Sequence, residues 1–343
     1  MRIKNDVSLT KYSTMRLGGL ARHLVVVTSR EDVAEAVAWA AKQQMPIVMV
    51  GIGSNIVWTD KGFPGLVLVN RIKRFDIFKE DGDHTYITVG SGENWDDIVK
   101  RTVKKKLSGI ESLSLIPGTA GATPVQNVGA YGQEISNVLV NVEAYDRQAN
   151  TYVIIPRVDC GFGYRSSRFN THDKGRFLIT ALTLHLTRTN PKPPFYPALD
   201  TYLSERGITA FTPKVIREAV IAIRSSKLPD PQVVANNGSF FANPIISPEK
   251  FKNLAKMYPN VSHWQLSNGW VKISAAWLIE MAGYKDFHDT DTGMATWPWQ
   301  PLVLVNEHAK TTNDLIEFRQ KIIVKVRYLF GITLVQEPEL LGA

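Results

Sequence analysis

Three stretches of this sequence carry residue types that could do chemistry. GIGSN, residues 51–55, follows the apolar run IVMV. Bare glycine backbone can cradle a phosphate with its N–H groups, because no side chain blocks the approach. A Rossmann dinucleotide loop must also open a helix whose N-terminus faces the pyrophosphate. Here the third glycine is missing, since residue 56 is Ile, and the chain continues as IVWTDKGFPGLVLVN, which is strand-like. A Rossmann site is therefore excluded, while a phosphate cradle and a tight strand-to-strand turn both stay open. SLIPGTAGATPVQNVGAYG, residues 114–132, contains Gly118, Gly121, Gly129 and Gly132 among small residues. It lacks the Lys-Ser/Thr of a Walker loop. Small residues at that density let backbone lie against a flat or anionic ligand. Gln126 and Asn127 add side-chain donors and acceptors. Two such loops suggest a large cofactor with a diphosphate. The third stretch, NNGSFFANP, residues 236–244, sets the Ser239 hydroxyl between a turn-prone Asn-Asn-Gly and two aromatic rings. Either Ser239 caps its own turn, or the turn exists to present the hydroxyl. No G-x-S-x-G elbow surrounds it, which argues against a nucleophile. The seven His residues show no paired spacing and Cys160 is the single cysteine, so no metal is expected.

The elements that must position these residues read as a mixed fold. HLVVV is strand-like, and Ser29 with Asp32 three residues on predicts a helix start, with Val33, Val37 and Ala40 on its apolar face. IVMVG after Pro46 completes a βαβ unit, which predicts a parallel strand pair. From about 56 to 190 short strands dominate: IVW, LVLVN, FDIF, YITVG, VNVEAYD, TYVII and FLITALTLHL. One helix interrupts them. In WDDIVKRTVKKKLSG, Trp95, Ile98, Val99, Val103 and Leu107 share a face, with Gly109 as the expected stop. RTNPKPPFYPAL, 188–199, is too proline-rich for regular structure and reads as a loop or boundary. Ser247-Pro248-Glu249 starts a helix. ISAAWLIEMAGY and TTNDLIEFRQKIIVKVRYLFG are amphipathic helices, the second ending at Gly331. ITLVQEPEL reads as a final strand that stops at Glu337-Pro338.

The chain has 343 residues, 44% hydrophobic and 21% charged, with a net charge of +8. That length suggests two or three lobes. A single cysteine permits no intrachain disulfide and fits a reducing compartment. There is no signal-peptide pattern and no apolar run near the ~20 residues of a membrane helix. A cytoplasmic protein is expected. The positive charge raises nucleic-acid binding, but the densest basic run, Lys100, Lys104 and Lys105, falls on the wet side of a helix. No nucleic-acid-binding signature accompanies it.

PGTAGATPVQNVGAYG, GYRSSRF (163–169), RSSKLPDP (224–231), NNGSFFANP and the terminal QEPEL occur in the order and approximate spacing of the UDP-N-acetylenolpyruvoylglucosamine reductase family, which the whole chain resembles. The resemblance implies an α+β chain with an FAD-binding fold of the vanillyl-alcohol-oxidase (PCMH) type, built of two α/β lobes, plus a smaller C-terminal α+β substrate domain. On that reading residues 1–70 form the first FAD-binding lobe. Residues 71–228 form the second, with a proline-rich tyrosine loop near 188–200, and residues 229–343 form the substrate domain, whose last strand carries Glu337 back to the active site. KPPFYPAL, with Tyr196, looks like the insertion of the family's longer class.

The resemblance also implies a reaction and its residues. NADPH-dependent, non-covalent FAD would reduce the enolpyruvyl group of UDP-N-acetylglucosamine enolpyruvate to UDP-N-acetylmuramate, a step of peptidoglycan synthesis. Hydride adds to the terminal carbon, negative charge builds on its neighbour and on the carboxylate, and the neighbouring carbon takes a proton. Ser239 is the expected proton donor. Arg165 is the expected carboxylate clamp, since guanidinium offers paired donors at any working pH. Glu337 matches the C-terminal glutamate and is either protonated or orients a donor, with Glu339 its near neighbour. Lys227, Tyr196, Asn243, Arg224 and Gln300 are the expected substrate contacts, Trp297 and Trp299 being read as packing. Flavin contacts are expected from Gly51, Gly53, Ser54, Asn55, Pro117, Gly118, Thr119, Gly121, Ala122, Gln126, Asn127, Gly129 and Ala130. The expected partner is a small nucleotide sugar, with no nucleic acid and no membrane insertion, and the expected state is a monomer. A flavin oxidase on the same fold is the competing enzyme reading.

Overall fold

A computed structural model of the chain describes residues 1–342. The chain folds as two compact units, each made of non-contiguous segments. The first is Met1–Val7, Ala21–Ile52 and Pro64–Ser226; the second is Ser8–Leu20, Gly53–Phe63 and Lys227–Ala343. GIGSN is therefore split, with Gly51 in the first unit and Gly53, Ser54 and Asn55 in the second.

The first unit holds two sheets. In the four-stranded sheet the order is Lys4–Ser8, Leu20–Val27, Phe63–Asn70, Ile47–Val50. Helix α1 (Arg30–Lys42) starts at Ser29 with the expected capping box to Asp32. Val33, Ala36, Val37 and Ala40 bury its apolar face against Val25, Val27, Leu66 and Leu68. The parallel pairing is corrected, however: Ile47–Val50 runs parallel to Phe63–Asn70, which lies between it and Leu20–Val27. The βαβ signal gives a crossover but not which strand fills the gap.

The second sheet of this unit is a five-stranded antiparallel one, ordered Thr151–Pro156, Leu139–Asp146, Phe177–Thr187, His84–Gly90, Phe75–Asp81. Helix α2 (Trp95–Lys104) packs on it through Trp95, Ile98, Val99 and Val103, all buried. Asn94 caps its first turn and Asp96 and Asp97 follow, which suits the positive end of the helix dipole. The helix ends at Lys104, short of Gly109; Lys106, at φ +58°, is the left-handed residue that turns the chain away. The proline-rich segment is irregular only as far as Tyr196. Pro197 is the first residue of α3 (Pro197–Glu205), a position where the missing N–H costs nothing. Helix α4 (Pro213–Lys227) follows, and Ile216, Ala219, Val220 and Ile223 pack on Leu199 and Leu203. Its i, i+3, i+4, i+7 pattern is present in the sequence.

The loop carrying Arg165 is bracketed by ion pairs. Arg176 grips Asp146 (Nη2–Oδ2 2.6 Å, Nε–Oδ1 3.0 Å) and reaches Asp173, which Arg168 also binds at 2.7 Å. Asp146 ends a strand and accepts from the Gln148 and Ala149 N–H groups as well.

The second unit contains a four-stranded antiparallel sheet, ordered Ala235–Ser239, Gln300–Asn306, Met294–Trp297, His288–Asp289. It also has a three-stranded one, ordered Ile245–Ile246, Val271–Ile273, His263–Gln265. Helix α5 (Pro248–Met257) opens at Ser247 and Pro248 as expected, α6 (Ala275–Met281) is capped by Ser274, and α7 (Thr312–Phe330) carries a Thr311–Asp314 capping box. Gly331, at φ +63°, ends α7. One core joins Phe240, Phe241, Leu278, Phe318, Ile322 and Leu334 with Met15, Leu17 and Val57 from the N-terminal segments. The tail differs from expectation. The last strand is Glu339–Leu341, beginning after Pro338 and running parallel to Ile56–Trp58, so Glu337 precedes the strand and does not lie in it. Pro338 has no N–H to give a ladder, which sets the earliest start.

Asp146 allows a prediction with a definite sign. The Arg176 hydrogen bonds outweigh burial and hold its carboxyl down to about 2. A depressed carboxyl stabilises the fold above the unfolded value and loses that contribution as pH falls through the folded one. Asp146→Asn should lower the melting midpoint by a few degrees at pH 7. The difference from the parent should shrink below about pH 4 and vanish near the folded value of about 2; melts at stepped pH followed by circular dichroism read this directly.

Candidate functional site

The site residues expected from the sequence fall in both units. In the first, the two glycine segments touch. A Cβ added to Gly51 would lie 2.3 Å from Thr119 Oγ1, and one added to Gly121 would lie 2.5 Å from Ser91 Cβ. The segment Gly118, Thr119, Gly121 and Ala122 thus presents almost nothing but backbone, with Gly118 at φ +150°. Arg71 donates from Nη1 to the Gly51 carbonyl at 3.1 Å, which leaves a guanidinium beside the bare loop. A flat small-residue floor with a cation at its edge fits a flavin and its diphosphate. Pro117 precedes this floor; Gln126 and Ala130 lie further along the same segment.

Asn127, an expected flavin contact, has its side chain engaged within the protein. It is buried, and its side chain donates to Glu134 Oε2 (2.8 Å) and to Gly163 O (3.1 Å) and accepts from Ser136 N–H (3.2 Å). Those bonds tie the glycine loop to the hairpin Gly163–Ser166, at whose tip sits Arg165, with φ +53°. Arg165 Nη1 donates to Gly129 O at 3.1 Å, and the guanidinium lies 5.5 Å from the Tyr164 ring centroid. Tyr196, the residue before α3, meets Tyr131 edge-on at 5.7 Å. Burial raises the Tyr196 phenol, with Tyr164 adding to it; burial likewise raises Tyr131, while Arg224 opposes that rise. Burial lowers the Arg224 guanidinium, and Tyr131 and Asp96 raise it back. The first unit therefore gathers Arg165, Tyr196 and Arg224 with Gly129. Tyr131 and Tyr164 are additional members; each stands beside a glycine in GAYG and GYRSS, the one sequence signal that could have found them.

Two ion-paired residues hold this group from behind. Arg217 of α4 meets Asp96 of α2 through two bonds of 2.6 and 2.7 Å and reaches Ser114 Oγ at 2.8 Å. Asp96 also accepts from Leu115 N–H, and Leu115 is at φ +59°. Burial would raise the Asp96 carboxyl, but Arg217 and that N–H bring it below its ordinary range. Arg224 Nη2 contacts the Leu115 carbonyl. A strained loop residue is thus gripped at both backbone groups just before Pro117 and Gly118.

The second unit gathers the other set. Ser239 ends the strand Ala235–Ser239, after a bulge at which Gly238 takes φ +68°; its side chain is exposed. The two rings behind it are 1% exposed each, so they anchor it as the sequence suggests. Phe240 N–H donates to Leu302 O (2.8 Å), and Glu337 N–H donates to Phe240 O (2.9 Å), which brings Glu337 alongside Ser239. Asn237, the second residue of the turn-prone Asn-Asn-Gly, is buried. Its Nδ2 lies within 3.3 Å of the carbonyls of Gly53, Ser54 and Ile56 and 3.1 Å from Thr14 Oγ1. Glu339 N–H donates to Asn55 O at 2.9 Å. The end of GIGSN, the serine strand and the acidic tail therefore meet. Asn243 Oδ1 accepts from Ala275 N–H at 2.8 Å and so helps to start α6. Gln300 begins the strand paired to Ser239's strand, and its Oε1 and Trp297 Nε1 are buried without hydrogen-bond partners among the described residues. Lys227 is exposed at the end of α4.

Cys160 is buried, which raises its thiol to about 11, so it stays protonated and unreactive. Among the described residues no group of three or more His, Cys, Asp or Glu side chains could hold a metal. No described helix is long and apolar enough to cross a membrane.

Comparison with known proteins covers the whole chain. Residues 21–153 match a family model described as an FAD binding domain, and residues 230–341 match the C-terminal domain of UDP-N-acetylenolpyruvoylglucosamine reductase. The UDP-N-acetylenolpyruvoylglucosamine reductase of Chromobacterium violaceum is 35% identical over 342 residues, 99% of each chain. That of Alcanivorax borkumensis is 37% identical over 98% of this chain and 96% of its own. A solved UDP-N-acetylenolpyruvylglucosamine reductase from Thermus caldophilus aligns with a TM-score of 0.69 over 99% of both chains at 22% identity, a likeness of fold.

The close approach at Gly51 gives a test of the flavin floor. Gly51→Ala forces a methyl onto Thr119, an overpacking worth ~1–3 kcal/mol. Retained FAD, read from visible absorbance and from fluorescence titration of the apoprotein, should bind about tenfold or more weakly.

Proposed function

This chain belongs to the family of UDP-N-acetylenolpyruvoylglucosamine reductases, FAD-binding oxidoreductases of peptidoglycan synthesis, and we propose that it reduces UDP-N-acetylglucosamine enolpyruvate to UDP-N-acetylmuramate with NADPH as reductant and Ser239 as proton donor. The observation that carries the proposal is the Glu337 N–H to Phe240 O bond at 2.9 Å. It sets a hydroxyl and a carboxylate-bearing segment side by side, with the end of a glycine loop held against both by Asn237.

The floor of Gly118, Thr119, Gly121 and Ala122, with Arg71 at its edge, would hold FAD, which when reduced by NADPH would supply the hydride for the terminal enolpyruvyl carbon. The protein's own tasks are to hold the substrate carboxylate and to protonate the adjacent carbon. Ser239 Oγ–H gives its proton to that carbon as the negative charge develops, and the serine regains one from solvent. An alcohol is a weak acid in water, but an enolate-like carbon is a strong base, and fixed geometry supplies much of the advantage. The buried Phe240 and Phe241 support that geometry, since they leave the strand end no freedom. Arg165 neutralises the carboxylate as it takes on enolate character, from a hairpin tip fixed by Asn127 and Gly129. Glu337 orients the serine or the substrate; Glu339 stands two residues on, and extended backbone returns every second side chain to the same face.

For the rest of the substrate, Tyr196, Lys227, Arg224, Asn243 and Gln300 are the proposed contacts. Asn243 Oδ1 already serves α6, so its contact falls to the amide NH2. Gln300 Oε1, buried without a partner among the described residues, is available as an acceptor. We take the enzyme to act as a cytoplasmic monomer.

NADPH oxidation by the FAD-loaded protein at low oxygen should rise strongly on adding the enolpyruvyl substrate, with no peroxide formed. Ser239→Ala should cut turnover by roughly 10²–10⁴-fold while FAD and NADPH binding stay intact; turnover within twofold of the parent would remove Ser239 as donor. Glu337→Gln and Glu339→Gln, made separately, identify the acting carboxylate as the one whose loss cuts turnover the more.

A further inference from the structure

Around the acidic tail, the bond from Glu337 N–H to Phe240 O belongs to a wider set of contacts, part of which has no role yet described. Residues 335–337 are stitched to 240–242: Ala242 N–H donates to Val335 O (3.0 Å), Phe241 and Gln336 form a bridge, and Glu337 N–H donates to Phe240 O. Backbone bonds hold the tail on either side of Pro338, at Glu337 N–H and Glu339 N–H, but the proline itself offers no N–H to pin. The side chain of Gln336 closes the turn through Pro338 from within. Its Nε2 donates to the Pro338 carbonyl at 2.5 Å, and its Oε1 accepts from Arg319 Nη1 at 2.7 Å. A Gln amide can flip or swing; held at both ends, it cannot.

Arg319 is the fixed end of this strut. It lies on α7 between Phe318, fully buried in the core, and the polar Gln320, one turn before buried Ile322. Its guanidinium is partly buried; burial lowers its pKa, and Nε has no hydrogen-bond partner among the described residues. Desolvating a guanidinium to grip one neutral amide is an unfavourable way to hold a surface tail. It is reasonable where the tail's position decides a rate, since a displacement of ~1 Å at a reacting group can cost ~10²-fold.

We infer that Arg319, acting through Gln336, is a positioning residue that sets the Glu337-Pro338-Glu339 segment against Ser239 for protonation of the substrate. The inference rests on the reading of Ser239 and the tail carboxylate given above. Its signature is selectivity between the two halves of the reaction. Reduction of the flavin by NADPH involves neither the proton donor nor the tail, whereas reoxidation by the enolpyruvyl substrate needs both.

Stopped-flow absorbance on the FAD-loaded full chain separates the halves. Arg319→Met should slow reoxidation by UDP-N-acetylglucosamine enolpyruvate by ~10–100-fold. The rate of flavin reduction by NADPH and the FAD affinity should stay within about twofold, and Arg319→Lys should recover part of the loss because its ammonium can still reach the amide oxygen. Gln336→Leu breaks the same strut from the tail side and should reproduce the effect even if Arg319→Met fails to fold. Equal slowing of both halves in the soluble variants, or an unchanged reoxidation rate, would overturn the inference. Ser239→Ala run in parallel separates the two readings. If it abolishes reoxidation while both strut variants behave as the parent, the strut alone fails. If it has no effect while the strut variants slow reoxidation selectively, the serine assignment fails and positioning of the tail stands.

Discussion

One buried amide does an unusual amount of joining in the second unit. Asn237 reaches the carbonyls of Gly53, Ser54 and Ile56 and the hydroxyl of Thr14, so a single side chain meets two segments nearly two hundred residues away in sequence. Such a group is costly to bury unless its hydrogen atoms are taken up, and that cost is what makes the arrangement specific. With the amide in place, the end of the glycine loop is fixed against the strand that ends in Ser239. The tail is fixed in turn, because Glu339 N–H bonds Asn55 and Glu337 N–H bonds Phe240. Hydroxyl, glycine loop and carboxylate therefore share one local frame, and errors in their spacing do not accumulate along the chain.

The first unit uses a different device for the same end. There the glycine loop is held by charge and by saturated polar groups. Asp96 and Arg217 form a two-point ion pair that would be strongly destabilising to break from one side. Through Leu115 N–H it holds a residue in the left-handed region just before the flexible glycines. Asn127, whose side-chain oxygen and nitrogen are both engaged, ties the far end of the loop to the Arg165 hairpin. A loop of Gly, Ala and Thr has little stiffness of its own; here it takes its shape from residues outside the floor it presents.

Much of this was legible in the sequence, and the reasons differ by case. Helix starts at Ser29 and Ser247 and the stop at Gly331 were readable because capping is local chemistry. The rejection of a Rossmann site was readable because Ile56 opens a strand. The ordered motifs carried the family. What escaped was non-local. No pattern in IVMV says that Phe63–Asn70 inserts beside it, and nothing around Asn237 distinguishes a turn asparagine from a buried one. Arg319 and Gln336 look like ordinary helix and tail residues until the fold sets them 2.7 Å apart. The E-P-E tail misleads in a physical way: proline reads as the end of a strand, yet a strand can begin just after it, as Glu339–Leu341 does. Helix α4 is the exception, since the period of its buried Ile216, Ala219, Val220 and Ile223 is plain in the sequence itself.

The interleaving of the two units has a consequence for how the protein comes into being. Ser8–Leu20 and Gly53–Phe63 precede in sequence the core that they enter, which is made mostly of residues after Lys227, and the strand Ile56–Trp58 pairs with the distant Glu339–Leu341. Until that core forms, Met15, Leu17 and Val57 lack most of the partners that bury them in it. Contacts of this sequence separation are slow to form, and apolar segments that wait for such partners are prone to aggregate. The same wiring makes Glu339–Leu341 the partner strand of Ile56–Trp58, so a chain cut before Glu337 loses both that pairing and the carboxylates of the tail.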